Sequence, residues 1–283
     1  MSETKSDIRH PDFVIAGFAK TATTTLAARL ATHPRIAFSE PKEPNSYIKP
    51  NLPGMTWCAP GTTFGNPPPD ALMGEGSVRY GMTHLHPEAA ENLAAANPKA
   101  RLLFVVRDPV KRAVSHWRML LSDAPDLLSP EEMLDHQWAF DALATTGRYR
   151  LHIEHFLKFF PMEQIKVVDF DQITTEFDSN IDGILEFLQP GLNRAGLDAE
   201  VSSNVTSSNR FQPTDTLRRL RGLPLWTTAT KLVPQALRDT VRSRLHRPPP
   251  VPELSERFIE RVREACQDEY TWTMETFVDS RRS

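Results

Sequence analysis

An α/β fold, a parallel sheet covered by helices on both faces, is what the sequence predicts, and three observations carry that expectation. Short apolar runs at residues 13–16, 101–106 and 164–170 have the length and composition of strands buried on both sides. Helical patterns lie between and after them, so strand and helix alternate along the chain. At the first two runs the chain passes from strand through charged residues into a helix start, and in such folds ligands bind at the carboxyl ends of the strands.

The first strand ends at Gly17, where the backbone must turn. A helix follows at once, with Leu26 and Leu30 four apart on one face and Thr23, Thr24 and Thr25 offering cap-type hydroxyls. A helix starting there turns unpaired N–H groups back towards the strand end, which suits an anion. Pro34, Pro41 and Pro44 exclude helix from the charged segment holding Glu40, Lys42 and Glu43. Residues 49–73 contain six prolines and three glycines, the composition of a long surface loop, in which Trp57 and Phe64 are the expected anchors facing an acceptor.

A helix over about 87–96 stops at Asn97-Pro98, and the strand at 101–106 leads through Arg107, Asp108 and Pro109 into an amphipathic helix. Val110, Val114, Trp117 and Leu121 mark the apolar face of that helix. Ser129, Pro130 and Glu132 form a capping box with proline at the first helical position, which predicts a helix running to Leu143. A helix over 148–160, the strand at 164–170 and a helix over 179–188 complete the core. Beyond Gly191 the chain turns polar. Residues 216–247 carry eight Lys/Arg against one acid, Asp239, which reads as a solvated helical face. A last helix over 255–277 presents Phe258, Val262, Cys266, Tyr270 and Met274 as a docking stripe.

With 283 residues, 40% of them hydrophobic, the chain can bury one large core. A single domain over 1–283 is expected, with its core at about 12–190 and the loop and helices of 191–283 as part of it. A net charge of −3 gives no overall electrostatic footprint for nucleic acid. Cys58 and Cys266 stand far apart without partners at metal-ligand spacing, so neither a disulfide framework nor a zinc site is indicated, and free thiols suit the cytoplasm. The N-terminal residues are polar and no apolar run is long enough to cross a bilayer, so the chain reads as neither secreted nor anchored.

Two motifs say which anion is meant. In GFAKTATTTL, from Gly17, the lysine comes three residues after the glycine, and the G-K-[ST] triplet of nucleotide kinases and hydrolases is absent. The stretch resembles the 5′-phosphosulfate loop of sulfotransferases that use 3′-phosphoadenosine 5′-phosphosulfate (PAPS), roughly G-x-x-K-x-G-T-T-x-L. Ala22 stands where that family has glycine, and because alanine restricts the backbone the loop is not expected to use a positive φ there. The resemblance implies cofactor contacts from Gly17, Ala19, Lys20, Thr21, Ala22, Thr23, Thr24 and Thr25, with Lys20 also catalytic, meeting charge on the leaving bisphosphate. RLLFVVRDPVKRAVSHW, from Arg101, resembles the family's 3′-phosphate motif, in which an arginine follows the strand and a serine lies eight residues on; here these are Arg107 and Ser115. A guanidinium at a strand end can grip phosphate oxygens bidentately, and a hydroxyl about two turns into the helix can add to it. Arg210 is the candidate for the remaining 3′-phosphate contact. The likeness spans about residues 12–188.

The resemblance implies the sulfotransferase fold and transfer of a sulfuryl group from PAPS to a hydroxyl, or an amine, of a carbohydrate, lipid or small natural product, with no metal required. Two residues compete for the role of base, and Glu43 is the expected one, ahead of His84. PKEPNSYI, holding Glu43, is similar to the Lys-Glu-x-x-x-(Phe/Tyr) segment of carbohydrate-type members, whose glutamate is the proposed base. MTHLHP, holding His84, is similar to the histidine segment of the cytosolic small-molecule members. Gly76 replaces a lysine that some carbohydrate-type members carry. His84 with His86, and His152 with His155, lack a third metal ligand at diagnostic spacing. A P-loop-type nucleotide kinase and a non-catalytic nucleotide-binding scaffold are the alternatives from other classes.

Overall fold

The protein is described by a computed structural model over residues 9–50, 55–123, 128–198, 212–213, 246–247 and 254–279. Its centre is a five-stranded parallel sheet in the order β2-β3-β1-β4-β5, built from β1 (Phe13–Gly17), β2 (Ile36–Phe38), β3 (Leu72–Gly76), β4 (Arg101–Val106) and β5 (Ile165–Asp169). The three apolar runs seen in the sequence are β1, β4 and β5. Alternate residues of each strand supply opposite faces. Val14, Ala16, Leu102, Phe104, Val106 and Val167 pack on one side with α2 (Glu88–Ala96) and α6 (Tyr149–Phe156). Phe13, Ile15, Leu103, Val105 and Val168 pack on the other with α1 (Thr23–Leu30) and α8 (Phe177–Leu188). A third apolar cluster joins α3 (Pro109–Asp123), α4 (Pro130–Met133), α5 (Gln137–Leu143) and α9 (Glu256–Thr273), and Phe258, Val262 and Cys266 of α9 are buried in it.

β2 and β3 are additions to the sequence reading. β3 reads LMGEG, with two glycines and an acid where a strand pattern asks for branched apolar residues. Packing explains the glycine: a Cβ on Gly74 would lie 2.2 Å from Cζ of Phe13, whose ring occupies that space. The helix expected from Pro130 to Leu143 is two. Ser129 makes the capping box with Glu132, but α4 stops after one turn and α5 restarts beyond an extended His136. Arg261 of α9 holds the break, donating to Leu134 O at 2.9 Å and to Asp135 Oδ1 at 2.6 Å. On α3 the buried face holds Arg112, Ala113, Trp117 and Leu121, while Val110 and Val114 are half-buried. α6 ends at Phe156, short of residue 160, and α9 is capped by Ser255, whose Oγ accepts the Phe258 N–H. Between 199 and 253 only a two-residue antiparallel pair is described, Gln212 and Pro213 with Arg247 and His246.

β1 and α1 lead to one side of the sheet while β4 lies on the other side of β1. The carboxyl ends of β1 and β4 therefore flank the point where strand order reverses, the place where open parallel sheets bind ligands.

Candidate active site

The loop from β1 to α1 is closed from inside. Thr21, fully buried, donates its hydroxyl to Phe18 O at 2.8 Å and accepts the Phe18 N–H at 3.2 Å. Lys20 and Ala22 on either side both take left-handed backbone, at φ 72° and 68°. The expectation that Ala22 avoids a positive φ is thus corrected: the residue accepts a cost of roughly 1–2 kcal/mol for a side chain in that region, which the surrounding loop holds in place. Ala22 is also the N-cap of α1 and has no capping side chain, so Thr23, Thr24 and Thr25 are first-turn residues and not caps. The N–H groups of that turn are left for an external acceptor, and a left-handed residue followed by a helical one makes an anion-binding nest.

Arg107 follows β4 and meets this loop directly. Its Nη1 donates to Lys20 O at 3.2 Å, across 87 residues of sequence. The guanidinium lies 4.1 Å from the centroid of the Phe170 ring, at the start of α7 (Phe170–Thr174). Tyr149 anchors the backbone beneath, donating its hydroxyl to Arg107 O at 2.7 Å. Burial disfavours the charged guanidinium, lowering its pKa, and Nε is buried with no hydrogen-bond partner among the described residues. Asp108 and Asp171 lie near enough to oppose that lowering. Ser115 is half-buried two turns along α3. Behind it Arg112 is fully buried, donating to Ala142 O at 3.0 Å and Leu143 O at 2.6 Å and thereby capping α5.

A cleft of about 310 Å³ opens beside the first turn of α1, lined by Thr24, Lys42, Glu43, Asn45, Met55, Thr56 and Arg79. Lys42 Nζ donates to Glu43 Oε1 at 2.6 Å. Glu43 and Asn45 are left-handed, at φ 64° and 54°. His84 does not line this cleft; its ring packs on His152, 5.3 Å between centroids. Burial lowers the His84 pKa, nearby His86 and Arg112 push the same way, and Asp141 opposes them. Among the described residues no group of three His, Cys, Asp or Glu is arranged to hold a metal, and no helix is long and apolar enough to cross a membrane.

A family model described as a sulfotransferase domain matches residues 10–243. The chain belongs to the sulfotransferase family. Among relatives, the heparan sulfate glucosamine 3-O-sulfotransferases 3B1 and 6 of Homo sapiens are each 27% identical to it. The matches run over 208 and 209 residues, 69% and 70% of this chain and 50% and 57% of theirs. The chain thus spans about half the length of these relatives. The solved sulfotransferase from Alicyclobacillus acidocaldarius superposes with a TM-score of 0.60 at 25% identity, covering 69% of this chain and 87% of that one.

This member of the family brings the loop at Lys20, the first turn of α1 and Arg107 together as one cradle, and Thr24 joins that cradle to the cleft of Glu43. His84 stands apart from the cleft, and Arg210, like most of the basic stretch 216–247, lies outside the described residues. Sequence reasoning missed Phe170, Tyr149 and Arg79 as members of the site. The acid-rich strand end DFD hinted at α7, but nothing local marks an arginine three residues after Gly76 as a cleft residue.

Proposed function

We propose that this sulfotransferase moves the sulfuryl group of PAPS to a hydroxyl of a carbohydrate acceptor, with Glu43 taking the proton. One observation carries the reading: Glu43 shares a cleft with Thr24, in the first turn of the helix whose N-terminus forms the anion cradle. PAPS supplies the activated sulfuryl group. The acceptor oxygen bonds to sulfur, the bond from sulfur to the 5′-phosphate oxygen breaks, and its electron pair leaves with adenosine 3′,5′-bisphosphate while the acceptor proton passes to the carboxylate. Lys20 and the nest at Ala22 are the groups suited to the charge growing on the leaving oxygen. Arg107, over the Phe170 ring and with no partner for Nε among the described residues, suits the 3′-phosphate. Lys42, held to Glu43 at 2.6 Å, fixes the carboxylate's orientation, and with Arg79 it gives the cleft positive charge that fits an acidic saccharide.

The test is product formation, read by mass for an added sulfuryl group, across neutral and acidic oligosaccharides, lipids and phenols at saturating PAPS. Glu43→Gln is expected to lose turnover by on the order of a hundredfold while still binding the bisphosphate, and His84→Ala to keep most of it. The reverse pattern transfers the role of base to His84.

A further inference from the structure

Beneath the loop that carries Glu43 lies a carboxyl group that the transfer reaction does not itself use. Glu75, 1% exposed, sits in β3 opposite Val14 of β1. Its Oε1 accepts two hydroxyls, Ser77 Oγ at 3.1 Å and Tyr80 Oη at 2.5 Å. Each hydroxyl in turn accepts a backbone N–H from the base-carrying loop: Asn45 N–H to Ser77 Oγ at 3.2 Å, and Tyr47 N–H to Tyr80 Oη at 3.3 Å. A hydroxyl that takes an N–H on a lone pair has one proton left to give, and here both protons end on the same carboxyl oxygen. The direction of both relays is therefore fixed by Glu75.

The loop needs such fixing. Glu43 and Asn45 both hold left-handed backbone, a conformation that persists only where the surroundings over-determine it. Glu43 N–H donates to Gly76 O at 3.0 Å, next to Glu75, and Asn45 Nδ2 bridges Glu43 O and Thr56 O at 2.8 and 2.9 Å. The segment is thus tethered to the end of β3 and to the opposite wall of the cleft, while Asn92 Nδ2 of α2 holds its far end by donating to Tyr47 O at 3.0 Å.

We propose that Glu75 is a positioning residue for sulfuryl transfer: through the hydroxyls of Ser77 and Tyr80 it clamps the 43–47 segment so that the Glu43 carboxylate stays aimed into the cleft. This rests on Glu43 as the base. Glu75→Met, close in size and unable to accept, releases both relays, and Tyr80→Phe releases one. Glu75→Gln keeps an acceptor oxygen and serves as the rescue.

Three measurements test it on the full chain, with binding of adenosine 3′,5′-bisphosphate as the control for folding. Amide hydrogen exchange over residues 43–47 is expected to quicken by tenfold or more in Glu75→Met, less in Tyr80→Phe, and little in Glu75→Gln. Turnover is expected to fall in the same order, by about thirtyfold in Glu75→Met and severalfold in Tyr80→Phe, with KM for PAPS unchanged. In a Glu43→Gln background Tyr80→Phe is expected to cost no further turnover, because a misaimed base and an absent base are the same loss. Unchanged exchange in both releasing variants, unchanged turnover, or an additive double variant each overturns the proposal. Should Glu75→Met fail the binding control, Tyr80→Phe and its double variant decide alone. Full turnover in Glu43→Gln by itself is a different failure, that of the base assignment.

Discussion

Replacing Arg107 separates a 3′-phosphate contact from a general loss of the cradle. Among the described residues its guanidinium donates to Lys20 O at 3.2 Å and lies 4.1 Å from the Phe170 ring centroid, while Nε has no partner. Its fork therefore has donors to spare. Two charge-assisted hydrogen bonds to a phosphate contribute roughly 1.5–3 kcal/mol each. Part of that is offset by stripping water from a half-buried cation, leaving about 3 kcal/mol, or roughly a hundredfold in Kd. Losing the bond to Lys20 O costs the cradle about 1 kcal/mol for any ligand. Calorimetry on Arg107→Ala is thus expected to show adenosine 3′,5′-bisphosphate weakened by a hundredfold or more and adenosine 5′-phosphate by less than about tenfold. Arg107→Lys keeps the charge but not the fork or the stack, so a loss of about tenfold is expected for the bisphosphate. Turnover at saturating PAPS should change far less, because a 3′-phosphate contact is made equally in ground and transition states. Equal weakening of the two nucleotides by Arg107→Ala would refute the assignment.

Three further outcomes are expected. Lys20→Ala should lower turnover by on the order of a hundredfold while weakening the bisphosphate product much less, since its charge matters most as the leaving oxygen becomes negative; comparable losses in calorimetry and kinetics count against it. Gly74→Ala should destabilise by about 3 kcal/mol in urea unfolding, because the new methyl overlaps the Phe13 ring, and Phe13→Leu should recover part of that loss; simple addition of the two costs would show that the ring is not the obstacle. Burial pushes the Glu75 carboxyl up to about 7 from its ordinary 4.5. Its contribution to stability is therefore full below the unfolded value and is lost as pH rises through about 7. Between pH 5 and 8 the wild type should lose on the order of 2–3 kcal/mol relative to Glu75→Gln, and parallel stability profiles for the two proteins would contradict this.

Much of the site was legible because phosphate chemistry is local. A strand, a turn and a helix start are a few residues of sequence, so the loop at Lys20 and the junction at Arg107 declared themselves, and the interval between them suggested one ligand touching both. The apolar runs of β1, β4 and β5 were equally plain, since a strand buried on both faces has no polar side to disguise it. β3 was hidden for the opposite reason. Its Gly74 answers to the Phe13 ring, its Gly76 to the Phe38 ring and its glutamate to hydroxyls at Ser77 and Tyr80, partners that exist only once the chain has folded. The left-handed Ala22 was misjudged because intrinsic backbone preference, worth a kcal/mol or two, yields to a loop pinned by Thr21 from within. The preference for Glu43 over His84 came from the resemblance of PKEPNSYI and from no local physical rule. Only the close approach of the 43–47 segment to the N-terminus of α1 puts one of them, and not the other, into the cleft beside the anion cradle. Sequence by itself determined the chemistry of the two strand ends, because backbone N–H groups and a guanidinium need only their neighbours to be recognised. Which of Glu43 and His84 lines the cleft beside them was decided by tertiary structure, because long-range packing sets the path of a loop.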